Sequence, residues 1–556
     1  MVKRLFNIFN REINGLHEAA YLLAFFAFLS QILALVRDRF FASSFGAGHI
    51  LDIYYSSFRI PDFIFATVAS LVSISVLVPF IIEKFGKSEE EGKRFVSSIF
   101  SFFSILIVFT SIIVFFLMPF LVSNIFKGIS SQEEIINMSR ILLLSPILLG
   151  LSNFFASITQ VGKRFLIYAL CPLFYNIGII CGIFFLYPIF GIYGLAYGVI
   201  FGALLHLLIQ IPFVVKSGLF KFWPISFDFN LIKSVVLISI PRTITLGMTQ
   251  ISTIVLLGIA SFMKEGSISV FNFATNLQSV PLSIIGVSYS IAAFPTLSHF
   301  FTSGAKDKFI SHIVSGARHI IFWSIPISIL FVVLRAQIVR TIYGAGEFSW
   351  SSTKLTAAAL AIFALSVTAQ SLVLLFIRGY YAMGNTKKSL YTSLLTGIFS
   401  ISFSFMFVKI FEGPIMFRYF VENLFRVDDI LGTEVLMLAF GFTLAQIINC
   451  IILWITFGRE FNSFSSTLLN TLFKSFSASI IMGFVAYIGL NIFDNIFNIN
   501  TLIGIFLQGL CAGIMGIISA VIVLKLLRSQ ELEEIWETLH KKIWKAKTIV
   551  PEMSEL

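Results

Sequence analysis

Arg37, Asp38 and Arg39 stand together at the end of the first long apolar run, Asp52, Arg59 and Asp62 occupy the first part of the second, and Arg242 follows Pro241 early in the seventh. A charge at mid-bilayer costs at least ~2.5 kcal/mol on insertion scales, so charges in such runs need a partner or a task. Asp52 and Arg59 are separated by seven residues, which places them on one helix face two turns apart. Guanidinium groups bind phosphate oxygens through paired hydrogen bonds, so a cleft lined by Arg37, Arg59 and Arg242 would suit a diphosphate headgroup. A plainer reading stays open for the first group: Arg37 and Arg39 can snorkel to headgroups while Asp38 pairs locally. Gln31, Asn176, Gln250, Asn272, Asn276, Gln278, Gln370, Gln446 and Asn449 also fall within apolar runs. Hydrogen bonding between helices is their simplest role, and contact with sugar hydroxyls the more specific one.

The elements that must position these groups follow from composition. With 57% hydrophobic and 12% charged residues and a mean hydropathy of +0.94, the 556-residue chain has too little polar surface to coat a water-soluble globule. Apolar stretches of about 20 residues or more recur from 19–42 to 500–527, about fourteen in all, and predict an all-α polytopic membrane protein. An even count puts both termini on one side. Alternate loops then carry Lys84, Lys87, Lys93 and Arg94; Lys163 and Arg164; Lys216 and Lys221; Lys306 and Lys308; Lys387 and Lys388; and Arg459. With the basic termini they form a consistent cytoplasmic set, so the formal charge of +11 is read as topology and not as affinity for nucleic acid. Cys171, Cys181, Cys450 and Cys511 lie in apolar runs without CxxC spacing and read as small core residues. The N-terminus, with Lys3, Arg4 and Arg11, shows no short apolar stretch with a cleavage site, so no removable signal peptide is expected.

Internal echoes predict duplication. Gly48 leading to Pro79 is matched by Gly266 leading to Pro295, Gly162-Lys163-Arg164 by Gly384 with Lys387 and Lys388, and Ala196-Tyr197-Gly198 by Ala439-Phe440-Gly441. The offset lengthens where an extra segment, about 410–433, carries Glu412, Arg418, Glu422, Arg426, Asp428 and Asp429. A six-helix unit used twice would give two pseudo-symmetric lobes around a central cavity, an arrangement suited to alternating access. The expected divisions are a cytoplasmic segment 1–18, an N-lobe 19–217, a C-lobe 218–460 with the extracytoplasmic insertion 410–433, two further spans in 461–528 and a tail 529–556. In that tail Leu532, Ile535, Trp536, Leu539 and Ile543 recur at helical spacing among Lys541, Lys542, Lys545 and Lys547, the pattern of an interfacial helix or, second, of a partner-binding one.

Signatures of soluble enzymes are missing: there is no GxxxxGK[ST], no HExxH and no GxGxxG fingerprint, which argues against ATP-driven transport by this chain alone. Gly46-Ala47-Gly48 and Gly344-Ala345-Gly346 read as turns between spans.

The run Val36-Arg37-Asp38-Arg39, Phe45-Gly46-Ala47-Gly48, Asp52, Phe58-Arg59-Ile60-Pro61 and Val78-Pro79 resembles the opening of the MurJ/MviN lipid II flippases, within the wider multidrug/oligosaccharidyl-lipid/polysaccharide (MOP) exporter superfamily. Further matches follow in order: Arg164-Phe165 with Pro172 and Asn176; Gly191-Ile192-Tyr193-Gly194-Leu195-Ala196; Gln250-Ile251; Pro281, Gly286-Val287 and Pro295; and Arg378-Gly379-Tyr380-Tyr381-Ala382 before Asn385-Thr386-Lys387. The resemblance implies a two-lobed, fourteen-helix transporter, not an enzyme, that moves undecaprenyl-diphosphate-linked peptidoglycan precursor to the outer leaflet of the bacterial cytoplasmic membrane, in support of cell-wall biogenesis and cell shape. By the same carry-over Arg37 and Asp52 match charged cavity residues, and Arg59 a basic position before its Pro. The family usually has arginine where Gln31 and Asn276 stand, two basic residues at Phe65 and Ala66, and an acid-glycine pair at Ser70-Leu71. Arg37, Arg59 and Arg242 would then neutralise the diphosphate, Asp52 would position a basic partner or couple to an ion, and Gln31 and Asn276 would supply neutral hydrogen bonds.

No cofactor or metal is expected, with coupling to membrane potential or a monovalent ion left open. The expected partners are the lipid-linked saccharide, membrane lipids and cell-wall synthesis proteins. Alternatives are a flippase for another polyprenyl-diphosphate-linked glycan, export of a small cation, which the scarcity of deep acids disfavours, and a scaffold that has lost transport. A membrane-embedded glycosyltransferase would have to use Asp428-Asp429, a pair that reads more simply as solvated loop surface.

Overall fold

The computed structural model describes residues 16–219, 227–461 and 465–543. Every regular element among them is a helix, as lipid demands: with no water in the hydrocarbon core, backbone N–H and C=O groups must be satisfied within the segment that carries them. Twelve helices are long and apolar enough to cross a membrane, and the pair Trp350–Ala364 and Val367–Ala382, bent by 43°, makes a thirteenth if taken as one span. Hydropathy suggested about fourteen. The first of the fourteen falls in Leu16–Phe45, a helix of 30 residues whose side chains before residue 22 lie outside the described set. The basic residues Lys3, Arg4, Arg11, Lys221, Lys545 and Lys547 lie outside the described residues.

The second span, His49–Lys87, is not one continuous α-helix. It runs from His49 to Val68, tightens into a 3₁₀ turn over Ala69–Val72, passes through an extended Ser73 and resumes at Ile74. Two side chains at the break bond backward, Thr67 Oγ1 to the Phe63 carbonyl at 2.6 Å and Ser70 Oγ to the Thr67 carbonyl at 2.8 Å, the type of competition that bends helices. The fifth and sixth spans, Phe165–Phe190 and Ile192–Lys216, approach through Gly178 and Gly182 on one side and Gly198 and Gly202 on the other. A Cβ added to Gly178 would lie 2.2 Å from the Gly202 Cα, and one added to Gly198 would lie 2.4 Å from the Gly182 Cα. Small residues four apart on both helices are what let backbones touch in lipid.

Two compact units can be distinguished. The first takes the chain up to Leu277 together with Val339–Phe363 and Asn385–Gln446, and its core gathers Phe95, Phe103, Phe154, Phe155, Leu207 and Val214. At one end of it the loops interlock: Gly46 packs on the Glu347 backbone, Gly266 on Ala47 and Gly128 on Ser261. The 410–433 segment forms a helix, Ile415–Phe425, in this unit, and Lys354 pairs with Asp429 at 2.7 Å. The second unit takes Gln278–Ile338, Ala364–Gly384 and the chain from Ile447, with a core of Phe309, Ile313, Phe376, Tyr380, Leu453 and Phe457. There the tail forms the helix Gln530–Ile543, whose Leu532 and Ile535 pack against Phe322, Ala478 and Leu524 while Trp536 stays exposed. The side chains of Leu539, Lys541, Lys542 and Ile543 lie outside the described set.

Candidate substrate site

Asp38 lies near the end of the first helix with only 3% of its surface exposed, where a lone carboxylate would be costly. Arg37 meets it: Nε and Nη2 both donate to Asp38 Oδ1, at 2.9 and 2.6 Å. The remaining arm of the guanidinium, Nη1, donates to Asn176 Oδ1 at 2.9 Å, and the second Asp38 oxygen accepts from Asn276 Nδ2 at 3.0 Å. A relay Asn176, Arg37, Asp38, Asn276 therefore links three helices. Arg39, its near neighbour, is engaged elsewhere, donating to the carbonyls of Thr341 and Ile342 at 2.6 and 3.0 Å.

The helix that carries Asn276, Ser267–Pro281, is also where the second helix directs its charges. Asp52 Oδ2 accepts from the Gly266 N–H at 2.6 Å, and Oδ1 from the Ser269 N–H at 2.8 Å and its hydroxyl at 2.6 Å. A carboxylate so placed satisfies the free N–H groups of a helix start and complements its dipole. Two turns further along the same face, Arg59 Nη2 donates to Asn272 Oδ1, and Asn272 Nδ2 in turn donates to the Ile268 carbonyl at 2.7 Å. Ser269, Asn272 and Asn276 thus form a polar stripe at helical spacing, met in order by Asp52, Arg59 and Asp38. Two donors on this face are buried and have no hydrogen-bond partner among the described residues: Tyr55 Oη and, one turn on, Arg59 Nε.

Of the six residues expected at the site, Asp52 and Arg59 meet the start and middle of Ser267–Pro281, Asn276 is carried by it, and Arg37 is linked to it through Asp38. Arg242 stands apart: it is exposed and donates to Ser73 Oγ at 3.1 Å, at the break of the second span, roughly 20 Å along that helix from Arg59. Gln31 lies six residues before Arg37, about a third of a turn away around the first helix, and has no hydrogen-bond partner among the described residues. Asp38, Asn176, Asn272 and Ser269 complete the cluster. The signal for the two asparagines was their presence in apolar runs; nothing in the sequence said which charge each would meet.

A helical chain of this kind, with charges paired between helices inside apolar spans, has the fold of a multi-pass membrane transporter. Among solved structures it is similar to one described as lipid II flippase MurJ in an inward closed conformation, at 24% identity and TM-score 0.73 over 91% of this chain and 99% of that one. It is also similar to an inward-facing multidrug resistance MATE transporter of the MOP superfamily, at 15% identity and TM-score 0.64 over 79% of this chain and 96% of that one. The family model described as lipid II flippase MurJ matches residues 41–508, so the chain belongs to the MurJ family, whose members are transporters and not enzymes. Relatives include a probable lipid II flippase MurJ of Thermotoga maritima, 29% identical over 67% of this chain and 76% of that protein. Another is the lipid II flippase MurJ of Burkholderia cenocepacia, 23% identical over 67% and 74%.

Proposed function

We propose that this chain carries lipid II, the undecaprenyl-diphosphate-linked peptidoglycan precursor, from the inner to the outer leaflet of a bacterial cytoplasmic membrane by alternating access, with both termini cytoplasmic. The names of the family and of its relatives support the reading. Within the molecule, the observation that carries it is the pair of buried donors without partners, Tyr55 Oη and Arg59 Nε, beside an Arg37 already forked onto a carboxylate. A phosphate oxygen accepts from such donors as a carboxylate does. The diphosphate would take up Tyr55 and Arg59 and compete with Asp38 for Arg37, while Asn276 keeps its bond to Asp38. Asp52 would act as a positioning residue, holding the start of the helix that bears Asn272 and Asn276. Gln31 and Arg242, which lie apart from this cluster, would meet the headgroup at other points of its path. Coupling to membrane potential or a monovalent ion, and association with cell-wall synthesis proteins, belong to the same proposal.

Neutral Gln31 and Asn276 favour one second reading, a different glycan on the same polyprenyl-diphosphate carrier. Expression in a strain depleted of its own lipid II flippase tests both. Rescue, with labelled lipid II becoming accessible from outside and Arg59→Ala abolishing the effect, is the expected result. Absence of rescue by protein that is present in the membrane overturns lipid II as the cargo, and accumulation of another outward lipid-linked glycan would establish the second reading.

A further inference from the structure

The helix Ile415–Phe425, between the spans Lys387–Glu412 and Val435–Glu460, is inside out by the standard of water. Its acid is hidden: Glu422 is 4% exposed, accepting from Arg418 Nε at 2.9 Å and from Thr433 Oγ1 at 2.6 Å. Val421 is buried beside it, Phe417 stacks its edge on Phe411 of the preceding span at 6.4 Å, and Phe425 meets Phe440 of the following one at 5.9 Å. The opposite half of the helix presents Ile415, Met416, Tyr419, Phe420 and Leu424, with Met416 86% and Phe420 64% exposed. These five fall within half the circumference of one short helix, so the exposure is a face and not a scatter.

We infer that this helix lies flat in the membrane surface, with that face in the headgroup–acyl boundary of the leaflet at the end of the molecule where the first and second helices meet. The position is set by the chain. Gly413 and Pro414 alone separate the helix from the end of a span at Glu412, and on the far side Gly432 packs on Lys264, next to the Gly266 turn that touches Ala47. A helix tethered there stands at the edge of the hydrocarbon core, where amphipathic helices settle and tyrosine is favoured. Its exposed face continues that of the span before it, whose Phe405, Met406 and Ile410 are exposed as lipid-facing residues are. A protein partner is a poorer occupant: five side chains offer less than the roughly 800 Å² per partner that a stable interface buries. The charged side is turned to the protein and fixed there, so lipid contact leaves no acid of this helix unpaired. The inference goes beyond the transport reading and does not depend on the cargo.

Power-saturation measurements on the full chain in phosphatidylethanolamine–phosphatidylglycerol liposomes test it. With Cys171, Cys181, Cys450 and Cys511 replaced by alanine, nitroxides at Met416→Cys and Phe420→Cys should be reached by oxygen and shielded from a water-soluble nickel chelate, with the reverse at Asp428→Cys. Labels reached by the chelate as readily as that at 428 overturn the inference, and so do labels shielded from both reagents, the sign of protein contact such as a second copy. The unsubstituted chain gives an independent reading that survives any folding failure of the cysteine-free variants. In liposomes a water-borne oxidant should convert Met416 to its sulfoxide at least roughly tenfold more slowly than a methionine in a free peptide, and a rate within about twofold of the peptide overturns the inference.

Discussion

A carboxylate that accepts two backbone N–H groups at the start of a neighbouring helix acts as a cap supplied from outside that helix, and Asp52 does this for Ser267–Pro281. Removing it leaves the Gly266 and Ser269 N–H groups without their acceptor. Asp52→Ala should therefore lower stability by about 1–2 kcal/mol, and Asp52→Asn, which keeps one acceptor oxygen, by less; thermal unfolding in detergent measures the difference. Equal loss from both variants would mean that the charge, and not the cap, matters. Arg37 is held differently, by its shape. A lysine cannot reach Asp38 twice and Asn176 once, so Arg37→Lys should lose about 1.5–3 kcal/mol of interaction and with it the relay to Asn276, seen as lower thermal stability and impaired rescue. At this scale the charged half of the cluster was legible because buried charge is expensive and therefore conspicuous in an apolar run. Its neutral half was legible only as a set of candidates: Asn176 and Asn272 looked no different from Gln250 or Gln446, since a polar residue announces that it needs a partner without naming one. Arg39, for which the sequence offers a snorkel to headgroups, instead serves carbonyls brought near it by residues about three hundred positions on, which no local pattern encodes.

Helices in lipid gain nothing from burying apolar surface against one another, so close fit decides which pairs form, and the glycines between the fifth and sixth spans are that fit. Gly198→Ala places a methyl 2.4 Å from the Gly182 Cα and must part the backbones; a cost of about 1–3 kcal/mol is expected. Gly86→Ala, with nothing within 4 Å, is the matched control and should be neutral or slightly stabilising. The two midpoints, read side by side in detergent, decide it. The tail helix is attached by another means. Burial opposes ionisation of Glu531, but hydrogen bonds from Ser529, Arg318 and Thr471 outweigh it and hold the carboxyl at about 2, against an ordinary value of 4.5. Because the docked pKa is depressed, the contribution to docking is full above about 4.5 and is lost as pH falls toward about 2. Hydrogen-exchange protection over 530–537, taken against the intrinsic amide rate at each pH, should fall across that window, and Glu531→Gln should show low protection already at neutral pH. Helical periodicity did reveal both the tail helix and its apolar stripe. The pattern suggests a stripe laid on the membrane surface, but Leu532 and Ile535 are covered by Phe322, Ala478 and Leu524 of other helices, and among the described residues of the stripe Trp536 points away.

For the molecule as a whole, hydropathy located nearly every span because each must be long and apolar regardless of its neighbours, whereas breaks depend on local competition that hydropathy averages away. The Thr67 and Ser70 back-bonds that interrupt the second span and the 43° bend after Ala364 were both invisible to it. Loop charge carries what the helices do not, the direction of insertion. Lys84 and Lys87 stand at the end of the second span and Lys93 and Arg94 at the start of the third, and Lys306 with Lys308 begins the ninth, while Lys127 lies in the loop between the third and fourth. Retention of Lys and Arg on the cytoplasmic side predicts that Lys127 faces outward and the others inward. In intact cells, with the four native cysteines replaced, an impermeant maleimide should label Lys127→Cys and leave Lys87→Cys untouched until the membrane is opened. Both positions are exposed, so protection reports the membrane and not burial in the protein. The opposite labelling pattern would reverse the topology and place the buried donors Tyr55 and Arg59 on a path that runs the other way, incompatible with outward delivery of a cell-wall precursor.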